Sequence, residues 1–190
     1  LIHLVENMLS VTRIQSSSQK MVMSEVNIKA PIEQIISIVK NQYPNQKFEF
    51  NYRKDLPCIF ADKDKFQQIM TNLIENSAKY SYGDNKTVIS TGIDNDNIYI
   101  KVSNTGLKLE EADYDNIFTK FSRIDNPLTR RVQGSGLGLY ITKNLVEKMH
   151  GKISVNSVPK KDNAELSEIT FTVLLPIVMI EEQARLKCNQ

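Results

Sequence analysis

The chain has 190 residues, of which 41% are hydrophobic and 24% charged, and its net charge is +2. This is enough apolar material for one medium domain with an appendage, and too little positive charge for a dedicated nucleic-acid surface, so no nucleic-acid partner is expected. No apolar run approaches the roughly 20 residues of a spanning helix and no signal peptide is visible, so no direct membrane contact is expected of these residues either.

The N-terminal stretch "LIHLVENMLSVTRIQ" (residues 1–15) places Leu1, Leu4, Met8 and Val11 at alternating three- and four-residue spacing. That is an apolar seam on a helix, either an ordinary surface helix or the end of a dimeric bundle. Leu1 already falls inside the pattern, so the chain reads as cut from a longer one, with room for a membrane anchor upstream. "SSSQK" (16–20) breaks the seam and reads as a linker. "MVMSEVNI" (21–28) is a short strand, and "APIEQIISIVKNQ" (30–42) is a helix with Ile32, Ile35, Ile36 and Val39 on one face. Pro31 lies in its first turn, where a missing N–H costs nothing. Residues 47–52 and 57–62 read as strands, and 63–81 as a long helix.

Residues 86–93 and 97–104 follow as strands joined at "DNDN", a hairpin signal. Residues 105–133 form a long polar, irregular segment. A glycine-punctuated loop, "QGSGLGL" (133–139), opens a helix over 139–150 that Gly151 stops. Residues 152–158 and 168–176 close as a hairpin, and 177–190 form a polar tail. These elements predict an α+β fold, a two-layer sandwich of one mixed, mostly antiparallel sheet with helices on one face. Cys58 and Cys188 are far apart and form no CxxC pair, so neither a disulfide scaffold nor a zinc site is expected, and the composition fits a reducing, cytosolic compartment. Lys160 and Lys161 read as a solvated loop.

Chemistry gathers on the long helix. Phe66, Ile69, Met70, Leu73, Ile74 and Ser77 share its core face, whereas Asn72, Asn76 and Lys79 form an adjoining polar strip. Asparagines one turn apart are poor helix formers and ask for a reason. An asparagine oxygen is a neutral hard ligand suited to magnesium, and a lysine one turn on can meet a phosphate. The plainer reading is a hydrogen-bonding helix edge with no ligand. "NTG" (104–106) offers a second candidate: Asn104 at a strand end could accept a hydrogen bond from an adenine amino group, and Gly106 would let a ligand approach. It also reads as an ordinary turn. The glycine loop is neither a Walker loop, since no G-K-[ST] follows, nor a dinucleotide fingerprint, since its spacing is G-x-G-x-G.

Taken together, "NLIENSAKYS" (72–81), "NTG" (104–106), "IFTKFSRID" (117–125) and "GSGLGLYI" (134–141) resemble, in order, the N-box, first glycine box, F-box and second glycine box of bacterial sensor histidine kinases. These kinases share a superfamily with gyrase, Hsp90 and MutL. The resemblance covers residues 20–176 and implies their catalytic, ATP-binding domain, with residues 1–19 as the end of the dimerisation hairpin and its linker. It implies that Asn76 coordinates Mg2+ on the ATP phosphates, that Asn72 lies beside them, and that Lys79 and Tyr80 contact phosphate or ribose. Asn104 would face adenine with Gly106 beside it. Gly134, Ser135, Gly136, Leu137, Gly138 and Leu139 would wrap the phosphates. Phe118 and Phe121 would anchor a lid over 107–133, and Arg123, with Arg130 or Arg131, would reach the terminal phosphate.

The family's phosphoacceptor histidine lies on a helix absent from this chain; neither His3 nor His150 stands in its motif. The implied reaction passes the γ-phosphoryl of ATP to that histidine, with Asn72, Lys79 and Arg123 as the catalytic set, and thence to an aspartate of a response regulator receiver domain. A homodimer and a cytoplasmic location, within a membrane-anchored sensor, are implied for the full protein. Two residues depart from the pattern: Asn104 replaces an aspartate and Lys108 replaces a glycine, where it would stiffen the lid hinge or touch phosphate. They keep a pseudokinase scaffold in play as an alternative, beside a nucleotide hydrolase.

Overall fold

The computed structural model describes residues 20–123 and 134–177, together with Met8, Val11 and Thr12. Most of the N-terminal seam, the linker up to residue 19, Arg130, Arg131 and the tail from residue 178 lie outside the described residues.

The chain enters through β1 (Met23–Val26) and α1 (Lys29–Gln42), where Ile32, Ile35 and Val39 turn inward as the spacing predicts. It continues through β2 (Lys47–Asn51) and β3 (Ile59–Asp62) into α2 (Lys63–Lys79). Asp62 caps α2 by accepting from the Lys65 amide at 3.1 Å, an interaction worth about 1 kcal/mol. The second carboxylate oxygen of Asp62 accepts from the Val22 amide at 2.8 Å, so one residue fixes both the start of the helix and the entry to β1. Phe66, Ile69, Met70, Leu73 and Ile74 are fully buried, which makes α2 the central helix of the core. The hairpin β4 (Lys86–Asp94) and β5 (Asn97–Leu107) follows, then a short α3 (Asp113–Asn116), α4 (Gly138–Lys148), and the hairpin β6 (Lys152–Lys160) and β7 (Asn163–Pro176). Both α1 and α4 pack against α2.

The main sheet has five strands in the order β2-β4-β5-β7-β6, and only β2 pairs parallel, with β4. Ile89, Ile98, Ile100, Val102, Phe171, Val173 and Leu175 alternate onto its buried face. The opposite face carries Lys101, and Ser103 and Thr170 join their hydroxyls there at 2.8 Å. The expected two-layer α+β sandwich is therefore present.

The expectation of one sheet is corrected, because β1 and β3 form a separate antiparallel ribbon. An isolated bridge from Ile59 to Ile177 links that ribbon to the chain just beyond β7. Three further expectations change. β5 runs on to Leu107 in register with β7, with Gly106 opposite Ser167, so "NTG" is strand and not turn. At the end of α4, His150 adopts the left-handed conformation (φ 58°) that usually falls to glycine. Gly151 serves a different need, since a side chain there would strike the Leu174 carbonyl. Finally, Cys58 is buried and disulfide-bonded, contrary to the expectation against a disulfide; Cys188 lies outside the described residues.

Candidate functional site

The polar strip of α2 faces α4 and the glycine loop. Asn72 donates from Nδ2 to Thr142 Oγ1 at 2.7 Å, which binds α2 to α4. One turn on, Asn76 Nδ2 donates to Asn72 Oδ1 at 3.5 Å, the long limit of a hydrogen bond. Lys79 lies with Nζ 5.3 Å from the centre of the Tyr80 ring. Burial is the main cause that lowers the Lys79 pKa; the nearby Arg123 lowers it further and Glu75 opposes both. Burial likewise raises the Tyr80 phenol, against the opposing pull of Arg123. This corner of the fold holds positive charge that is poorly solvated, an environment that favours an incoming anion.

Gly136 and Gly138 occupy positions where a side chain has no room, and Gly134 lies close against the end of α2. A Cβ at Gly134 would lie 3.2 Å from Lys79 Nζ and 3.3 Å from the Tyr80 hydroxyl. One at Gly136 would lie 2.8 Å from the carbonyl carbon of Phe121, and Gly136 also has φ +67°. One at Gly138 would run into the Asn72 carboxamide. The G-x-G-x-G spacing thus lays one loop across three parts of the site: the end of α2, the segment at Phe121, and the asparagine strip. Ser135 Oγ accepts from the Leu137 amide at 3.3 Å, and Leu137 is buried. Among the described residues no side chain caps α4, so the positive end of this helix faces the loop. Leu139 is half-buried in that first turn.

Asn104 is buried next to the end of α2. Its Nδ2 donates to the Tyr80 carbonyl at 3.3 Å and to the Thr105 carbonyl at 3.1 Å. Two carbonyl partners demand the nitrogen, which sets the amide orientation and leaves Oδ1 as the acceptor. The Tyr82 amide donates to the Thr105 carbonyl at 2.8 Å, which stitches the segment after α2 to β5. A Cβ at Gly106 would come within 3.2 Å of the Tyr80 carbonyl, so glycine allows this close approach.

Asn72, Asn76, Lys79, Tyr80, Asn104, Gly106 and the loop from Gly134 to Leu139 therefore converge. Lys108 and Phe118 stand apart from this group, and Phe121 and Arg123 lie at its margin. Lys108 is exposed and pairs with Glu110 at 3.0 Å. Phe118 is buried edge-on against Phe171, centroids 6.3 Å apart, and anchors its segment as expected. Phe121 does not: its side chain is 63% exposed and its φ is +60°, so it meets the site through its backbone against Gly136. Arg123 is exposed and acts on Lys79 and Tyr80 through its charge.

Two residues escaped the sequence reading. Thr142 is a buried hydroxyl on the inner face of α4, among Ile141, Leu145 and Val146, and this polar intruder on an apolar stripe was a legible signal. Ser167 is fully buried, and among the described residues its Oγ is the buried side-chain oxygen without a hydrogen-bond partner. Nothing in the sequence around Ser167 marks it.

No group of three His, Cys, Asp or Glu suited to a metal ion occurs among the described residues. The donors present fit only an ion that brings most of its ligands with it: one neutral amide oxygen, from Asn76, beside a site that favours phosphate. Magnesium bound to a polyphosphate meets that condition, since it keeps water and phosphate oxygens and takes few protein ligands.

The family model described as "Histidine kinase-, DNA gyrase B-, and HSP90-like ATPase" matches residues 61–178. The signal transduction histidine-protein kinase ArlS of Staphylococcus haemolyticus is 30% identical over 154 residues, covering 81% of this chain and 34% of the relative. The sensor protein kinase WalK of Staphylococcus aureus is 29% identical over 190 residues, covering 96% of this chain and 43% of the relative. The chain thus spans less than half the length of these curated relatives. Full-length ShkA in complex with AMPPNP superposes with a TM-score of 0.73 at 23% identity, over 92% of this chain and 35% of that one. The mycobacterial sensor histidine kinase MprB gives 0.69 at 20% identity, over 83% of this chain and 100% of that one. At these identities the superpositions speak for the fold alone. No helix among the described residues is long and apolar enough to cross a membrane.

Proposed function

Because this chain belongs to the histidine kinase-, DNA gyrase B- and HSP90-like ATPase family, we propose that it is the ATP-binding catalytic domain of a two-component sensor histidine kinase. The observation that supports this most is the convergence of Gly134, Gly136 and Gly138 on Lys79, the Phe121 backbone and Asn72. A loop pressed on a desolvated lysine and opening an uncapped helix is an anion cradle.

In this reading the loop amides, the α4 N-terminus and Lys79 hold the phosphates. Asn76 supplies its amide oxygen to magnesium, whose chemistry is to neutralise charge on the transferred phosphoryl. Asn104 Oδ1 accepts from the adenine amino group, with Gly106 leaving room for the base. Tyr80 lies at the ribose and phosphate side, and Arg123 adds charge at the mouth. Asn72 sits where a hydrolase of this superfamily carries a glutamate. Its amide donates to Thr142 and is no base for water, which favours transfer to a protein over hydrolysis.

The acceptor is a histidine on a helix outside this chain, followed by an aspartate on a response regulator receiver domain. The whole protein acts as a homodimer, with this domain on the cytoplasmic side of a membrane-anchored sensor. Calorimetric titration with Mg-ATP and Mg-ADP, followed by addition of a separate acceptor-helix protein, tests the proposal. Binding together with phosphoryl transfer is expected. No binding at millimolar nucleotide would sink it in favour of a scaffold, and steady phosphate release without transfer would favour a hydrolase.

A further inference from the structure

Asn76 can serve as a metal ligand only if its carboxamide oxygen, not its nitrogen, faces the ion. An asparagine on a half-exposed helix face rotates between the two orientations at little cost, so something must choose. We propose that Thr142 makes this choice: it is a positioning residue that holds the Asn72 amide, and through Asn72 turns Asn76 with its oxygen toward the magnesium–nucleotide.

The relay runs in one direction. A threonine inside a helix commonly spends its hydroxyl hydrogen on the carbonyl one turn back, which leaves its oxygen as an acceptor. Thr142 Oγ1 accepts from Asn72 Nδ2 at 2.7 Å, a short bond between a half-buried amide and a buried hydroxyl, Thr142 being 1% exposed. With its nitrogen held there, Asn72 offers Oδ1 one turn further along α2, where Asn76 Nδ2 donates at 3.5 Å. Once the Asn76 nitrogen is directed at Asn72, its oxygen is the atom left for a cation. Gly138 closes the arrangement, since a side chain there would displace the Asn72 carboxamide. Thr142 lies one turn beyond Gly138 on α4, so the same bond makes the Asn76 orientation depend on how α4 docks against α2.

This inference rests on the ATP-binding reading and is tested separately from it. Thr142→Val keeps the shape of the side chain and removes the acceptor; Thr142→Ser keeps the acceptor. Nucleotide affinity is measured by calorimetry on the full chain, with magnesium and again in excess EDTA. Thr142→Val should weaken binding about tenfold in magnesium, the order of one lost hydrogen bond, and leave the EDTA value unchanged. Thr142→Ser should bind as the parent does in both. Parental affinity of Thr142→Val in magnesium would overturn the relay. So would an equal loss with and without the metal, which marks a purely structural role. If Thr142→Val fails to fold, Thr142→Ala, which adds no bulk, is judged by the same two titrations. Failure of the parent chain to bind Mg-ATP at all would strike the functional reading itself, a result none of the variant comparisons can mimic.

Discussion

In the proposed function Asn104 does a carboxylate's work with a neutral side chain. Its nitrogen satisfies the Tyr80 and Thr105 carbonyls, and this commitment leaves its oxygen as the acceptor. Asn104→Leu should therefore reduce ATP affinity by about tenfold or more in a nucleotide titration. Asn104→Asp is more telling. A carboxylate there would face two carbonyl oxygens, so its pKa in the folded state must lie above its unfolded value of about 3.9. The protonated acid can still donate, so the variant matches the parent below the unfolded pKa. Its deficit opens as pH rises toward the folded pKa and then levels at about 1–3 kcal/mol. Urea melts below the unfolded pKa, at about pH 3, and at pH 8 measure this, and an equal deficit at both would contradict it. Lys79 gives the opposite sign. Its pKa is lowered by burial and Arg123, so the charged form costs stability at neutral pH, and that cost fades as pH rises from the folded pKa toward the unfolded one. Lys79→Met should melt higher than the parent at pH 7 without nucleotide, with the advantage gone near pH 11, and should bind ATP poorly. A lower melting temperature at pH 7 would show that Lys79 is stabilised rather than strained.

At the scale of elements, the glycine loop is a contact surface as much as a flexible segment. Gly136 meets the Phe121 backbone, not the end of a flexible side chain, and its own φ is positive. Gly83 has φ +77° with nothing within 4 Å of its missing Cβ. The two separate conformational strain from site geometry. Gly83→Ala should lower stability by about 1 kcal/mol and leave nucleotide affinity alone. Gly136→Ala should abolish most binding, and equal effects of the two on binding would refute the cradle. The helices and strands were legible because their apolar residues repeat at 3.6 or 2 residues, as Ile32, Ile35 and Val39 do on α1. The asparagine strip was legible because poor helix formers stood one turn apart inside a strong helix. What stayed hidden depends on partners far away in sequence. The strand continuation through Gly106 needs β7 beside it, some 60 residues on. The burial of Phe118 and exposure of Phe121 follow from Phe171 and Gly136, which no local pattern reveals. His150 took the left-handed position although Gly151 follows it, and the Gly151 amide then closes the helix on the Val146 carbonyl.

Across the whole molecule, the site is assembled from both ends of the chain's order, and this makes nucleotide binding and folding parts of one equilibrium. Asn72 and Lys79 come from α2, Asn104 from the centre of the main sheet, and the cradle from the loop before α4. Only α2, α4 and the β5–β7 pair need to be in place to bring them together. β2 and β6 form the sheet edges, and none of these residues lies on them. A ligand that binds only the folded state stabilises it by about 2.7 kcal/mol at a hundredfold excess over Kd. Where that stabilisation appears first depends on which local openings break the site. Hydrogen exchange measured with and without Mg-ATP should therefore gain protection over residues 76–82, 104–106 and 137–142. β2 and β6 should change only through the slower global opening. If the protection spread evenly over the edge strands, the ligand would be held by the fold at large and not by the cradle. In Thr142→Val the gain over 137–142 should shrink with magnesium present while that at 104–106 persists, because the base pocket does not use the α2–α4 bond.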